Sequence, residues 1–166
     1  GRYGESPEQT YRNNFENEAF DWFAFNEYLV RKVLNGKFLA IAVDPSFLPK
    51  SGKKTPWIGR FWSGVAGEMK RGQEIFGVGV IDVENHDCMT LSAPQTPEMD
   101  SNLVEWYCQN LIILKEKLQK ISRLVVADAF FSKETFVNPL LKEGFHVISR
   151  FRNDAVLFYP TLQKPT

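Results

Sequence analysis

Cysteine is scarce in this 166-residue chain: Cys88 and Cys108 are the two present, far apart, with no Cys-x-x-Cys and no histidine at zinc-ligand spacing. That leaves no support for a disulfide framework or a structural zinc centre and points to a reducing cytosol. Long hydrophobic runs are also missing. No window approaches the ~20 uninterrupted apolar residues of a membrane span, and no basic, apolar, then small-residue leader opens the chain. The reading is therefore of no membrane partner. An excess of either charge is lacking too, since 20 Lys+Arg face 20 Asp+Glu, which removes the global electrostatic argument for nucleic-acid binding. What is there is apolar material, 43% hydrophobic and 14% aromatic, enough for one core and too much for a disordered tail. Position 1 is Gly, and residues 1–14 are polar without periodicity, so they read as a linker or an artificial end before a single domain over residues 15–166, cut from a longer polypeptide.

The balanced charge is unevenly placed. Residues 1–30 hold Glu5, Glu8, Glu16, Glu18, Asp21 and Glu27 against Arg2 and Arg12, whereas residues 50–71 hold Lys50, Lys53, Lys54, Arg60, Lys70 and Arg71 against Glu68. Asp21 can cap a helix to about residue 34, with Phe25, Leu29 and Val33 at four-residue spacing, Phe23 and Val30 beside them, and Gly36 as terminator. The apolar run over residues 38–43 reads as a buried central strand that stops at Asp44-Pro45. Residues 50–72, broken by five glycines and Pro56, read as a long loop in which Trp57 and Trp62 are expected to pack on the core. Residues 75–83 and 88–93 form a hairpin about the turn at Glu84, Asn85, His86 and Asp87.

In the second half, apolar residues from Leu103 to Ile121 follow a 3.6-residue period with lysines at the C-terminal end, predicting a helix. A second apolar strand, residues 124–127, then runs into Asp128. Ser132 is placed to cap a helix over residues 133–142, and Gly144 to end it before a strand over residues 145–151. The alternation implies a mixed α/β sheet.

Asp44 and Asp128 thus each close a short apolar strand. Ligands of open α/β sheets bind beyond the carboxyl ends of strands, and on parallel neighbours roughly 4.8 Å apart the two carboxylates can converge. Such a pair repels, so a hard divalent cation such as magnesium is its natural partner. An aspartate after a strand also serves as a turn or helix N-cap residue, and spacing does not separate the two roles.

The run Leu39-Ala-Ile-Ala-Val-Asp44-Pro-Ser-Phe-Leu-Pro-Lys-Ser-Gly-Lys-Lys-Thr55, then Phe61-Trp-Ser-Gly64, Gln95-Thr-Pro97 and Leu124-Val-Val-Ala-Asp128, resembles insertion-sequence transposases with a DDE catalytic domain. The resemblance covers nearly the whole chain from about Tyr11. It implies an RNase H-like mixed sheet with an antiparallel hairpin and flanking helices, truncated before the last catalytic helix. It also implies Asp44 and Asp128 as catalytic and metal ligands for Mg2+ or Mn2+, with transposon-end and target DNA as partners. Homo-oligomeric assembly of the full-length protein belongs to the same expectation, as does a place in the cytosol or nucleoid. The family's third ligand is a glutamate on a later helix; no Glu follows Glu143 here, so this chain alone is expected to bind metal weakly and turn over little. Glu134 is read as a solvated first-turn residue rather than a substitute.

Phosphate contacts are expected from Lys50, Lys53, Lys54 and Arg60, just downstream of Asp44. Arg150 and Arg152, alternating on one strand face, either meet DNA or carry exposed edge charge. Residues 51–55 superficially resemble a phosphate-binding P-loop, but Phe47 stands where its first Gly should be. His86, Asp87 and His146 read as ordinary turn and sheet residues. Two rivals remain: a nuclease of the same fold that only hydrolyses, and a non-catalytic DNA-binding remnant of a truncated element.

Overall fold

The computed structural model describes residues 7–16, 19–52, 55–99, 102–153 and 155. Its elements run α1 (Glu8–Phe15), α2 (Trp22–Val33), β1 (Leu39–Pro49), β2 (Gly59–Ser63), β3 (Glu68–Asp82), β4 (Asp87–Ser92), α3 (Leu103–Ile113), α4 (Lys115–Leu118), β5 (Leu124–Ala127), α5 (Glu134–Lys142) and β6 (His146–Ser149). A single 3-10 turn, Ala129–Phe131, follows β5. Helix α1 begins inside the stretch read as a polar linker and ends one residue beyond it. The described part of the expected helix over residues 103–121 is interrupted at Leu114, which separates α3 from α4. Among the described residues no helix is long and apolar enough to cross a membrane.

The sheet has six strands in the order β2-β3-β1-β5-β6, with β4 also paired to β3. β1 and β3 run antiparallel from Leu39↔Asp82 to Pro49↔Gly72, whereas β1, β5 and β6 are mutually parallel. Strand β3 is long enough to carry β2 on its first half and β4 on its second, with a register shift at Val78/Gly79. An antiparallel hairpin on the first strand, a crossover helix, and a later strand returning parallel beside the first make this the RNase H-like mixed α/β sheet that the resemblance implies.

One sheet face, the three longer helices α2, α3 and α5, and Leu118 of α4 share the core. Ile41, Val43, Phe76, Val78, Val80, Val125 and Ala127 pack with Phe23 and Val30 of α2, Tyr107, Cys108 and Leu111 of α3, and Phe136 and Leu140 of α5. The stripe of α2 is therefore Phe23, Val30 and, just past its end, Leu34. Phe25 and Val33 are exposed at 44% and 54%, so their four-residue spacing did not mark the core side. Asp21 caps α2 as expected, its Oδ1 accepting from the Ala24 N–H at 2.9 Å. Cys108 is buried and Cys88 exposed, both free.

Three expectations fail where tertiary pairing overrides local pattern. β1 does not stop at Asp44 but runs on to Pro49 against β3. Its pairing with β5 ends at Val43↔Ala127, so beyond that point one edge is open, and Pro45 and Pro49 can sit in a strand without leaving a ladder bond unmade. Residues 50–72 are not one loop, because β2 and the start of β3 form a hairpin there about residues 64–67. Gly67, at φ +65, turns that hairpin, and a Cβ at Gly72 would meet the Leu48 carbonyl of the paired strand, so Gly72 marks a close approach and not a break. Ser132 does not cap α5. Lys133 holds the cap position without a side-chain bond, and the Ser132 hydroxyl donates to the Ala129 carbonyl at 2.8 Å.

Gly36 also differs from its expected role. α2 ends in an extended Leu34, and Gly36 instead presses its backbone against buried Asp82, whose Oδ2 accepts from the Gly36 N–H at 2.8 Å. Asp82 accepts as well from the Asn85 backbone N–H at 3.1 Å and from Asn85 Nδ2 at 2.9 Å, and these donors, Asn85 first, hold its carboxyl below the ordinary 3.8. A Cβ at Gly36 would overlap that carboxylate. Gly36→Ala is expected to lower unfolding free energy by about 1–3 kcal/mol, read as a lower urea midpoint with an unchanged slope.

Candidate active site

The site begins where β1 and β5 part. Val43 and Ala127 are the last paired residues of the two strands, so Asp44 and Asp128 are the next positions on adjacent parallel neighbours. Both aspartates line one cavity of about 640 Å³. Each strand reaches this point because its preceding residues are buried: Ile41 and Val125 are fully enclosed, and Val43 nearly so. The polar residue that follows is then delivered to the sheet's carboxyl end.

Asp44 senses its neighbour. Asp44 is held above the ordinary 3.8, first by partial desolvation and then by the charge of Asp128. Asp128 combines the two roles that spacing left open. Its Oδ1 accepts from the Phe130 N–H at 3.0 Å, capping the 3-10 turn, while its carbonyl accepts from the Ser149 hydroxyl at 2.7 Å. One of its oxygens is thus committed to local structure.

Of the expected basic contacts, Arg60 lines the same cavity from β2, with its backbone N–H donating to Glu98 Oε1 at 3.1 Å. Lys50 is exposed just past the end of β1. Lys53 and Lys54 lie outside the described residues. Arg150 and Arg152 are not on a strand face, because β6 ends at Ser149. They instead line a second cavity of about 360 Å³ with Ala129, Phe151 and Asn153, immediately after the Asp128 corner. The tryptophans correct the expectation of core packing, since Trp57 and Trp62 are each 59% exposed. Trp57 sits in a loop held by Gln73 and Gln95, whose side-chain amides donate to the Pro56 carbonyl at 3.2 and 2.7 Å. Trp62 stands opposite Met69 in the β2/β3 hairpin and walls the aspartate cavity.

Glu134 is exposed and accepts from Asn138 Nδ2 at 3.0 Å, the local role expected of it. His86 occupies the β3/β4 turn at φ +58, Asp87 opens β4, and His146 is exposed in β6. Among the described residues no group of three or more His, Cys, Asp or Glu is arranged to hold a metal ion.

Two residues at the site were not found from the sequence. Glu74, 5% exposed in β3, lines the aspartate cavity and accepts a hydrogen bond from the Tyr107 hydroxyl. It falls just before the hairpin expected from residue 75, and a carboxylate beside isoleucine and phenylalanine is the available signal. Lys133 places its Nζ 3.9 Å from the Phe130 ring centroid. Burial and then the charge of Arg152 push this amine below its ordinary 10.5, against the opposing pull of Asp128, so it shares the electrostatic environment of the site.

No protein-family model and no curated protein matches the chain. Two crystal structures of Ciona intestinalis Endonuclease V, in complex with a 23mer and a 24mer DNA containing an inosine followed by a ribo-adenosine, align with it at 15% identity and a TM-score of 0.34. Each alignment covers 78% of this chain and 55% of the other, so this chain spans about half the length of those proteins. At that level the likeness is one of general architecture, and neither activity nor ligand carries across.

The raised Asp44 has a thermodynamic consequence. Between 3.8 and its higher folded value the folded state binds more protons than the unfolded state, so stability falls as pH rises through that window. Asp44→Asn is expected to raise Tm by roughly 1–3 °C at pH 7 in EDTA, a screened repulsion being small. That gain should vanish as the pH is lowered to 3.8, which differential scanning calorimetry across pH would check.

Proposed function

We propose that this chain is the catalytic part of a DNA-processing enzyme that breaks phosphodiester bonds at Asp44 and Asp128. Its specific form, on the sequence resemblance, is a DDE transposase that cleaves at element ends and joins them to target DNA. The observation that supports this most directly is the delivery of two carboxylates from neighbouring parallel strands to the mouth of one cavity, where the charge of Asp128 adds to the cost of ionising Asp44.

The donor set suits a hard cation: two carboxylates, oxygen ligands only, with room beside them. Asp44 and Asp128 would hold magnesium or manganese, which when bound supplies Lewis acidity at the scissile phosphorus. A third acidic ligand is part of the pattern that the sequence resembles, and the described residues supply only two. The protein's own groups do the remaining work. Asp44, held above its ordinary 3.8 by partial burial and then by the charge of Asp128, would gain from an opposite charge beside it. Asp128, tied through Oδ1 to the turn, presents its remaining capacity in a fixed direction. Arg60 at the cavity and Lys50 at the end of β1 offer charge to the phosphates on one side, and Arg150 and Arg152 on the other.

Isothermal titration with Mg2+ or Mn2+ tests the site. Weak binding, on the order of millimolar, is expected for the wild type and its loss in Asp44→Ala and Asp128→Ala; unchanged isotherms in both variants would remove the assignment. Lys50→Ala and Arg60→Ala are each expected to weaken DNA binding irrespective of sequence and to reduce the slope of log affinity against log salt by about 1, measured by fluorescence anisotropy.

A further inference from the structure

The cavity beside the aspartates is lined for something flatter and less charged than a phosphate. Around its opening stand Trp62, Met69, Met99 and Phe130, exposed at 59%, 45%, 41% and 39%. Four large apolar side chains left in water about one opening are a costly surface unless a ligand covers them. On the inner wall is the opposite anomaly, the Glu74 carboxylate, buried and fixed by the Tyr107 hydroxyl. Tyr107 stays protonated, because burial and the neighbouring carboxylate push its pKa far upward. Tyr107 therefore donates, and Glu74 keeps lone pairs for further donors. At about 640 Å³ the space is of small-molecule size and larger than one base.

An aromatic wall, an apolar rim and one buried acceptor-only group together describe a planar ring that offers adjacent N–H donors. We propose that this cavity takes one unpaired guanine of the DNA strand that lies at the aspartates, stacked against Trp62, with Glu74 accepting from its N1–H and 2-amino group. The proposal rests on the DNA-processing reading above and adds a base-specific subsite to it. Guanine alone among the four DNA bases presents two neighbouring donors on its pairing edge, the match for a carboxylate's two oxygens. Thymine presents one N–H flanked by two carbonyl oxygens, which the carboxylate repels, and adenine and cytosine set an acceptor nitrogen beside their amino group. Stacking on Trp62 tolerates any base, so discrimination falls to Glu74.

The test uses the full chain and hairpin DNA carrying one unpaired guanine, one unpaired thymine or an abasic position, with a fully paired hairpin as reference. In anisotropy titrations the guanine hairpin is expected to bind about tenfold more tightly than the thymine or abasic ones. Glu74→Gln should erase that preference while leaving affinity for the paired hairpin unchanged. Trp62→Ala, at an exposed position that does not support the core, should weaken the guanine hairpin while leaving the abasic and paired ones unchanged, and it decides whether a base enters the cavity if Glu74→Gln unfolds by circular dichroism. Equal affinity of the wild type for all three unpaired hairpins, with the paired hairpin still bound, overturns the subsite alone. Failure to bind any of the four overturns the DNA-processing reading with it.

Discussion

The structure turns on the point at which two parallel strands stop pairing. Up to Val43 and Ala127, β1 and β5 are joined by main-chain hydrogen bonds and flanked by fully buried neighbours; one residue later the ladder is over and both chains carry an aspartate. Nothing in that juxtaposition stabilises the metal-free protein, since burial and repulsion together raise the Asp44 carboxyl. The strain is carried by the apolar surface behind it, where α2, α3, α5 and Leu118 of α4 cover one sheet face. A carboxyl pair that gains nothing from its own placement and is nonetheless held by its scaffold supports the functional role proposed for it.

The same boundary explains the outer half of the sheet. Freed from β5, β1 continues with an open edge that accepts two prolines, and β3 continues with it, wide enough to carry β2. The prolonged hairpin lifts Arg60, Trp62 and Met69 over the aspartates and converts a shallow strand-end crevice into a walled cavity. The opposite end of β3 has a different polar fixture: Asp82 ties the exit of α2 to the β3/β4 turn through Gly36 and Asn85. One strand therefore has a structural carboxylate at one end and lends a wall to the proposed functional pair at the other.

Much of this was legible from residue patterns because the relevant signals are local. The apolar runs ending in Asp44 and Asp128, the cap at Asp21, the turn at His86 and the stop at Gly144 each depend on a few adjacent residues, and each stands where expected or within a few residues of it. The errors share one cause. Gly72 and Pro45 signal breaks in an isolated chain, but a close-approach glycine and an edge proline are permitted by a partner strand that no local window contains. The face of α2 was misassigned for the same reason: Phe25 and Val33 have a helical spacing, yet the side that packs is decided by where β4 lies, with Asn26 Nδ2 donating to the Leu91 carbonyl at 3.0 Å. Glu74 was missed because burial of a carboxylate follows from Tyr107, thirty-three positions away.

Asp128 is anchored twice, its Oδ1 to the Phe130 amide and its carbonyl to the Ser149 hydroxyl. A carboxylate pinned in this way cannot swing freely about its side-chain bonds. Its bearing is set by the turn, and lengthening it by one methylene would sacrifice the cap and the bearing together. If the proposed cation is held here, adjustment to its radius would fall to Asp44, whose side chain has no such tether among the described residues, so that of the two one would aim and the other adjust.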